Sequence, residues 1–157
     1  MIWNDFFGKI VMTVLISMVP VLELRGAIPI ALSHDLPIHW AFGAAVIGNL
    51  LPVPFIMLFV RKIFDFFRKI SPRLHRWIEK LENRAIRKSS VVKKFSTLGL
   101  FILVAVPLPG TGAWTGALVA AMLNMRIRRA FPAIALGVIA AGLIVLTASL
   151  GVGAVFG

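Results

Sequence analysis

The sequence predicts an all-α integral membrane protein, built as an inverted repeat of a re-entrant helical hairpin plus a transmembrane helix, with a basic cytoplasmic amphipathic helical segment between the copies. Hydrophobic residues account for 59% of the 157 residues and the mean hydropathy is +0.94, more than a soluble domain of this size can bury. Charged residues are absent from four long stretches: residues 10–22, 36–60, 95–125 and 130–157. A bilayer explains this distribution, because charges inside hydrocarbon are costly.

The basic residues indicate which side of the membrane the connecting segment occupies. The formal net charge is +11, and residues 61–94 hold twelve basic and three acidic residues, so nine of the eleven net charges lie there. Because short loops rich in Lys and Arg remain in the cytoplasm, we expect a multi-pass protein of a bacterial or archaeal inner (plasma) membrane. Residues 73–86 have the spacing of an interfacial helix or of a connector packed on the spans. Nucleic acid is a weaker alternative partner, and we expect none, because no binding motif accompanies the charge.

Two apolar segments are interrupted near their middle by residues that end helices, and we predict that both are re-entrant hairpins. They are residues 6–32 and 95–125, within a single membrane domain of residues 1–157. Arms of roughly 9 to 13 residues reach only about half to two thirds of a bilayer. If the second segment crossed fully, the arginines of residues 126–129 would lie opposite the basic loop, against the positive-inside bias. A broken full span is the alternative.

Two further apolar stretches, residues 37–60 and 132–156, are predicted to be transmembrane helices, each opened by a proline in its first turn. Proline removes a backbone donor and clashes with the preceding turn. We therefore expect the first helix to kink where Asn49, Pro52 and Pro54 interrupt it. The segment between the two copies, from residue 61 to residue 94, is the expected cytoplasmic loop.

The order of these elements suggests an internal repeat. Val19-Pro20 recurs as Val106-Pro107, and Pro37 is paired with Pro132. A single crossing between the copies would make them opposite in orientation, which is typical of transporters with broken helices. The simpler alternative is two ordinary helices loosened by glycine and proline. Because four short elements hardly shield broken helices from lipid, we also expect a homodimer.

The sequence predicts no cofactor and no metal. It contains no cysteine, which excludes disulfides and thiolate ligands. His34, Asp35 and His39 cluster outside the first hairpin, where solvated polar residues are more usual than a metal site, and a route for protons is a second alternative. We expect no enzyme either, because no nucleophile is recognisable beside a base.

Glu23 and Arg25 are the only ionisable residues inside an apolar segment, where burying either one alone would cost several kcal/mol. They belong to the motif Glu23-Leu24-Arg25-Gly26-Ala27-Ile28-Pro29, at a helix break where the two side chains are expected to converge and pair. Arg25 offers a planar fork of donors for phosphate or carboxylate. Glu23 can hold it until a ligand arrives, or change its protonation. A purely structural ion pair is the alternative.

The second hairpin carries the motif Pro107-Leu108-Pro109-Gly110-Thr111-Gly112-Ala113-Trp114-Thr115-Gly116. Its second arm begins near Ala113, so helix N-terminal amides would point at the hairpin tip and favour an anion there. A tight turn without a ligand is the alternative. The candidate substrate-binding and translocation residues are Glu23, Arg25, Gly26, Pro29, Asn49, Pro107, Pro109, Gly110, Thr111, Gly112, Trp114 and Thr115.

Together the two motifs closely resemble those of the small multidrug export protein family, which looks like a compact branch of the DedA superfamily. The resemblance covers nearly the whole chain and implies two opposed re-entrant hairpins that meet in the membrane. It also implies translocation of an anionic lipid phosphate such as undecaprenyl phosphate, with protons as a coupling ion. By the same resemblance, Glu23 is the acidic residue of the translocation site and Arg25 is its arginine. Unlike typical DedA proteins, the chain has no arginine in its second motif. A proton-coupled exporter of small lipophilic drugs and a non-transporting membrane scaffold are the alternatives.

Overall fold

A computed structural model describes residues 5–70, 72, 73, 75–77, 79, 80, 83, 96–108 and 110–156. The main helices are α1 (Phe6–Met18), α2 (Glu23–Ser33), α3 (Ile38–Leu50), α4 (Pro52–Ile70), α5 (Ser96–Ala105), α6 (Ala113–Met122) and α7 (Ile127–Phe156). The described residues between 72 and 83 are helical too, and none of the described residues forms a strand. The all-α prediction is confirmed. Most of the predicted amphipathic segment beyond residue 83 lies outside the described residues, as does Pro109.

The two apolar segments with predicted interruptions each form a pair of short helices. Helices α1 and α2 contact each other on either side of residues 19–22, here named the first break, and α5 and α6 on either side of residues 106–112, the second break. The four helices have 13, 11, 10 and 10 residues. At 1.5 Å per residue each spans about 15–20 Å, less than a hydrocarbon core of about 30 Å. The second interruption lies where the sequence predicted it. The first was predicted at residues 23–29, but these residues belong to α2, with Pro29 inside the helix, and the chain breaks at residues 19–22 instead. Re-entry into the membrane stays a prediction.

A long apolar element follows each pair. The described residues contain two stretches long and apolar enough to cross a membrane, Ile38–Phe67 and Ile127–Val152, with mean hydropathies of 2.0 and 2.4. Helix α3 starts directly after Pro37, as the sequence predicted. The expected interruption is the boundary between α3 and α4, where Pro52 lies in the first turn of α4 and its missing N–H costs nothing. Helix α4 continues to Ile70, inside the segment predicted to be the loop.

Pro132 does not open the second long helix, contrary to the prediction. Helix α7 begins at Ile127, and the carbonyl of Arg126 accepts hydrogen bonds from amides one turn further along. Pro132 therefore lies inside the helix, where it leaves the carbonyl of Arg128 without its usual partner. This position is tolerated because Arg128 is exposed near the helix end, where solvent can satisfy the carbonyl.

Helices α2 and α6 end in the same backbone motif. Asp35 follows α2 with φ +58°, and Asn124 follows α6 with φ +55°. In each case the amide of the next residue, Leu36 or Met125, bonds to the carbonyl five positions earlier. This Schellman arrangement satisfies carbonyls at the helix end and turns the chain into the following long helix.

The matching ends reveal a sequence spacing of 89 residues between the two halves. Helix α3 begins with Ile38-His39-Trp40-Ala41-Phe42, and α7 begins with Ile127-Arg128-Arg129-Ala130-Phe131. At this spacing Arg126 corresponds to Pro37, and both residues directly precede a long helix. The pairing of Pro37 with Pro132 predicted from the sequence is therefore wrong by six residues.

Two close contacts between helices are also alike in the two halves: the glycines, Gly48 and Gly137, are 89 residues apart, and the residues they meet, Val14 and Phe101, are 87 residues apart. A Cβ atom on Gly48 of α3 would lie 2.9 Å from the Cα atom of Val14 on α1, and one on Gly137 of α7 would lie 2.9 Å from the carbonyl oxygen of Phe101 on α5. The first helix of each pair therefore packs tightly along the long helix that follows it. Helix α2 crosses between α3 and α7, and α6 packs on α4, which brings the two breaks together.

Candidate functional site

The candidate site lies where the first break faces the second break, and Glu23 occupies its centre. Glu23 is the first residue of α2, its exposed fraction is 4%, and its φ is +47°. A residue with a Cβ adopts this left-handed conformation at a cost of roughly 1–2 kcal/mol. Such conformations persist only where surrounding interactions fix them.

The carboxylate of Glu23 is held at the N-terminus of α6. Its Oε1 atom accepts a hydrogen bond from the amide of Trp114 at 3.3 Å. The residue before the helix is Gly112, with φ +132°, and a Cβ atom there would lie 2.7 Å from the Cδ atom of Glu23. Glycine is thus required both for the backbone conformation and for the close approach. A negative charge at a helix N-terminus is stabilised by the unpaired amides and the helix dipole.

Arg25 contacts the second break rather than Glu23. Its Nη1 atom donates to the carbonyl of Leu108 at 2.5 Å, and its Nη2 atom donates to the carbonyl and the Oγ1 atom of Thr111, both at 2.8 Å. No ion pair joins Glu23 to Arg25, although both are described. The pairing predicted from their closeness in sequence is therefore wrong: the two side chains reach separate parts of the opposite helix pair.

Trp114 makes a comparable bond in the other direction. Its indole Nε1 atom donates to the carbonyl of Met18, the last residue of α1, at 3.1 Å. At the spacing of 89 residues Trp114 corresponds to Arg25, and Gly112 corresponds to Glu23. The two helix pairs are therefore joined at matching positions by side chains that donate to main-chain carbonyls of the opposite pair.

Hydroxyl groups stabilise the second break itself. The Oγ1 atom of Thr111 lies 2.6 Å from the carbonyl oxygen of Val106 and accepts from the amide of Leu108 at 3.2 Å. The hydroxyl of Thr115 donates to the carbonyl of Gly110 at 3.0 Å, and Gly110 has φ +83°. Within the described residues, these predicted site residues therefore shape the break, and Thr111 also links it to Arg25.

Asn49 is brought into the site from α3. Its exposed fraction is 1%, and neither its Oδ1 nor its Nδ2 atom has a hydrogen-bond partner among the described residues. It lines a narrow internal space together with Glu23, Arg25 and Gly112. A buried amide without partners destabilises a protein by roughly 1–3 kcal/mol. A group that forms hydrogen bonds with Asn49 in another conformation of the protein would stabilise that conformation.

The larger cavity beside the site, cavity A, lies between α2 and α7 and has a volume of about 860 Å³. Its lining residues are Arg25, Pro29, Leu32, Ser33, Pro107, Ile144, Val145, Ala148, Ser149, Leu150 and Val152. Arg25 is the one charged residue among them. Two predicted site residues, Pro29 and Pro107, are thus wall residues of this cavity. Gly26 is not, and its amide bonds to the carbonyl of Leu22 inside the first pair.

A second cavity, cavity B, has a volume of about 590 Å³ and lies between α4 and α6. Its lining residues are Pro52, Phe55, Ile56, Leu58, Phe59, Lys62 and Trp114. Three wall positions of α4 correspond to wall positions of α7 in cavity A at the spacing of 89 residues: Phe55 with Ile144, Ile56 with Val145, and Phe59 with Ala148. Because Trp114 also corresponds to Arg25, the two cavities occupy equivalent places in the two halves. Sequence reasoning missed these wall residues, which carry no signal beyond being apolar.

His34 and His39 lie where α2 leads into α3, and neither belongs to a group of metal ligands among the described residues. Nδ1 of His34 lies 2.9 Å from the carbonyl oxygen of Ile30. No group of three His, Asp or Glu residues suited to a metal ion occurs in the part of the chain that the structure describes.

Residues 23–144 match the family model described as "Putative small multi-drug export protein". The match contains Glu23, Arg25, Asn49, the second break and the first 18 of the 30 residues of α7. No curated protein and no solved structure matches the chain.

Proposed function

The chain belongs to the small multi-drug export protein family, and from this premise we propose that it exports amphiphilic molecules with an anionic head group, of which a lipid phosphate is the best fit. Two apolar helices of spanning length and membership of an export family make it a membrane protein. The resemblance of its two motifs to DedA proteins suggests undecaprenyl phosphate as a member of this substrate class. No chemical conversion of the substrate is part of the proposal.

The observation that carries the proposal is the lining of cavity A. Its walls are largely apolar, and the charge it presents is the guanidinium of Arg25. Arginine has five N–H donors, and three of those in Arg25 bond to the second break, which leaves two without a partner among the described residues. An apolar chain therefore fits the walls, and a phosphate fits the free donors. A cationic drug would require a carboxylate, and the Glu23 carboxylate is engaged by α6 instead.

The two equivalent cavities suggest how a substrate passes through. We place the halves in opposite orientation in the membrane, as two re-entrant hairpins, each followed by a transmembrane helix. Support comes from four helices too short to span and from matched hydrogen bonds across the two breaks. Arg25 lines cavity A and Trp114 lines cavity B, so we place the contact between Glu23 and the N-terminus of α6 between the two cavities, and its opening would connect them. Proton coupling fits this scheme, because a proton on Glu23 would weaken its attraction to α6.

A homodimer completes the proposal. At the first break, Val21 is 87% exposed and Leu22 is 42% exposed. Irregular backbone inside a bilayer has to be covered by protein or line a cavity. A second copy that packs over the first break would provide this cover, and chemical crosslinking in membranes tests for it.

Native mass spectrometry of the purified chain tests the substrate class with three matched probes. They are a polyprenyl phosphate, the corresponding polyprenol and the lipophilic cation tetraphenylphosphonium. We expect the phosphate to bind at least about tenfold more tightly than the alcohol, since a charge-assisted bond contributes roughly 1.5–3 kcal/mol. Arg25→Gln should remove this difference, whereas Ser33→Ala, in the same cavity wall, should keep it.

A further variant keeps the test decisive if Arg25→Gln fails to fold. Ile144→Trp would narrow cavity A while Arg25 stays in place, and it should weaken binding of the phosphate. Equal binding of phosphate and alcohol, together with saturable binding of tetraphenylphosphonium, would replace the anionic substrate with a cationic drug.

The lining of cavity B favours a second candidate, the export of small lipophilic drugs. Phe55, Phe59 and Trp114 offer three aromatic surfaces there, which suit flat apolar molecules. Lys62 at the same cavity disfavours cations. Saturable binding of a neutral aromatic drug that is lost in Phe59→Ala would support this candidate. The control is Leu118→Ala, a change at an exposed residue of α6 that does not line cavity B.

A further inference from the structure

A basic cavity lies apart from cavities A and B, at the corner where α6 leads into α7. Its volume is about 310 Å³, and it is lined by Asn124, Met125, Arg126 and Arg129. We propose that this basic corner binds a phosphate group at the membrane surface, independently of substrate. The proposal does not depend on which molecule the protein exports.

The arginines of the corner lack acidic partners. Arg126 and Arg129 are exposed, and no carboxylate of the described residues forms an ion pair with either. Arg61 approaches the corner from α4, where its Nη2 atom donates to the carbonyl of Met125. The Nε atom of Arg61 is buried and has no acceptor in the described part of the chain. Three guanidinium groups thus lie at one loop without an ion-paired carboxylate among the described residues, and a phosphate supplies both charge and acceptors.

The equivalent corner in the other half forms the same backbone turn without arginines. The corner between α2 and α3 has the same left-handed residue and the same backbone hydrogen bonds. At the spacing of 89 residues, Asp35 stands in place of Asn124, and Pro37 and Trp40 stand in place of the two arginines, Arg126 and Arg129. Each difference makes the second corner more favourable for an anion: a carboxylate is absent and two cations are present. The backbone requires none of these changes, so the two arginines are available to a ligand.

The position of the corner is appropriate for a lipid head group. Residues 130–157 contain no charged residue, so the arginines stand at the end of an apolar helix of spanning length. Lipid phosphates lie at this depth, and anionic lipids of the cytoplasmic leaflet attract basic residues. A soluble phosphate is the other source of the same chemistry.

Native mass spectrometry of the full chain tests the corner with phosphatidylglycerol, phosphatidylcholine and inorganic phosphate as separate probes. We expect phosphatidylglycerol to bind more tightly than phosphatidylcholine. Arg129→Gln and Arg126→Gln should each weaken that binding by about tenfold, the loss typical of one charge-assisted bond. Arg128→Gln is the matched control, because Arg128 is an exposed neighbour that does not line the cavity. It should change the affinity by less than about twofold.

The outcomes separate the sources and the alternatives. If millimolar inorganic phosphate displaces the lipid, and this displacement is lost in Arg129→Gln, the site binds soluble phosphate through the same arginines. Equal weakening by Arg128→Gln would show attraction to general surface charge and overturn the site. Absence of binding by all three probes to a chain that unfolds cooperatively would overturn it too.

Discussion

Arg25 and Trp114 lie 89 residues apart at matching positions of the two helix pairs, and each donates hydrogen bonds to main-chain carbonyls of the opposite pair. The exchange is unequal, because a guanidinium makes three bonds and an indole makes one. A bond from a charged donor contributes roughly 1.5–3 kcal/mol, against about 1 kcal/mol for a neutral one. Of these two side chains, Arg25 therefore contributes more to the contact between the two helix pairs.

Gly112→Ala should destabilise the protein by about 2 kcal/mol or more, because a Cβ there meets the Glu23 carboxylate and φ is +132°. Gly110→Ala is the control: φ is +83°, but a Cβ would have nothing within 4 Å, so only about 1 kcal/mol of backbone strain applies. Thermal unfolding in detergent measures both. In the double variant Glu23→Ala with Gly112→Ala, the cost should be smaller than the sum of the single costs. Equal costs for the two glycine variants would contradict the contact.

A variant in which the charges of Glu23 and Arg25 are exchanged should not fold well. In Glu23→Arg with Arg25→Glu, a cation would face the amides of α6 and a carboxylate would face the carbonyls of Leu108 and Thr111. Both contacts would be repulsive. Folded yield after detergent extraction should be no higher than for either single change. Recovery of the yield by the exchange would indicate a direct pair between residues 23 and 25.

Asn49→Leu should stabilise the protein by about 1 kcal/mol, because both polar atoms of Asn49 are buried without partners. If Asn49 forms its missing hydrogen bonds only after Glu23 has moved away from the N-terminus of α6, the same variant should slow transport. Unfolding midpoints and flux in proteoliposomes give the two values. Asn49→Asp, which buries a charge in place of the amide, is expected to lower the midpoint. A loss of stability in Asn49→Leu would show that the amide already has a partner.

The proposed orientation can be tested by single cysteines, since the natural chain contains none. Arg76→Cys and Arg128→Cys should both react with a membrane-impermeant maleimide from the cytoplasmic side. His39→Cys, at the equivalent place of the first half, should react from the outer side. Labelling of position 128 from the outer side alone would mean that α5 and α6 together cross the membrane.

Sequence reasoning located the second break because its signals are local, whereas it placed the first break at residues 23–29, which belong to α2. Pro107, Gly110 and Gly112 end a helix by their own backbone preferences. The start of α7 was misplaced because Pro132 reads as a first-turn residue. The actual start depends on a Schellman turn at Asn124, which the residue type indicates only weakly.

The candidate site was predicted in its residues but not in its contacts. Glu23, Arg25, Gly112 and Trp114 were identified by charge, glycine and motif. Their partners are main-chain groups of a distant segment, and a main-chain carbonyl carries no sequence signal. The positive φ of Glu23 directs its side chain away from Arg25, and no residue preference predicts that conformation for glutamate.

The bonds between the halves impose a delay during synthesis. Glu23 and Arg25 leave the ribosome before the residues that hold them, since Gly112 follows Glu23 by 89 residues. At about 5–20 residues per second, the wait is roughly 4 to 18 s. For that interval a carboxylate and a guanidinium of the newly made first half lack their native partners.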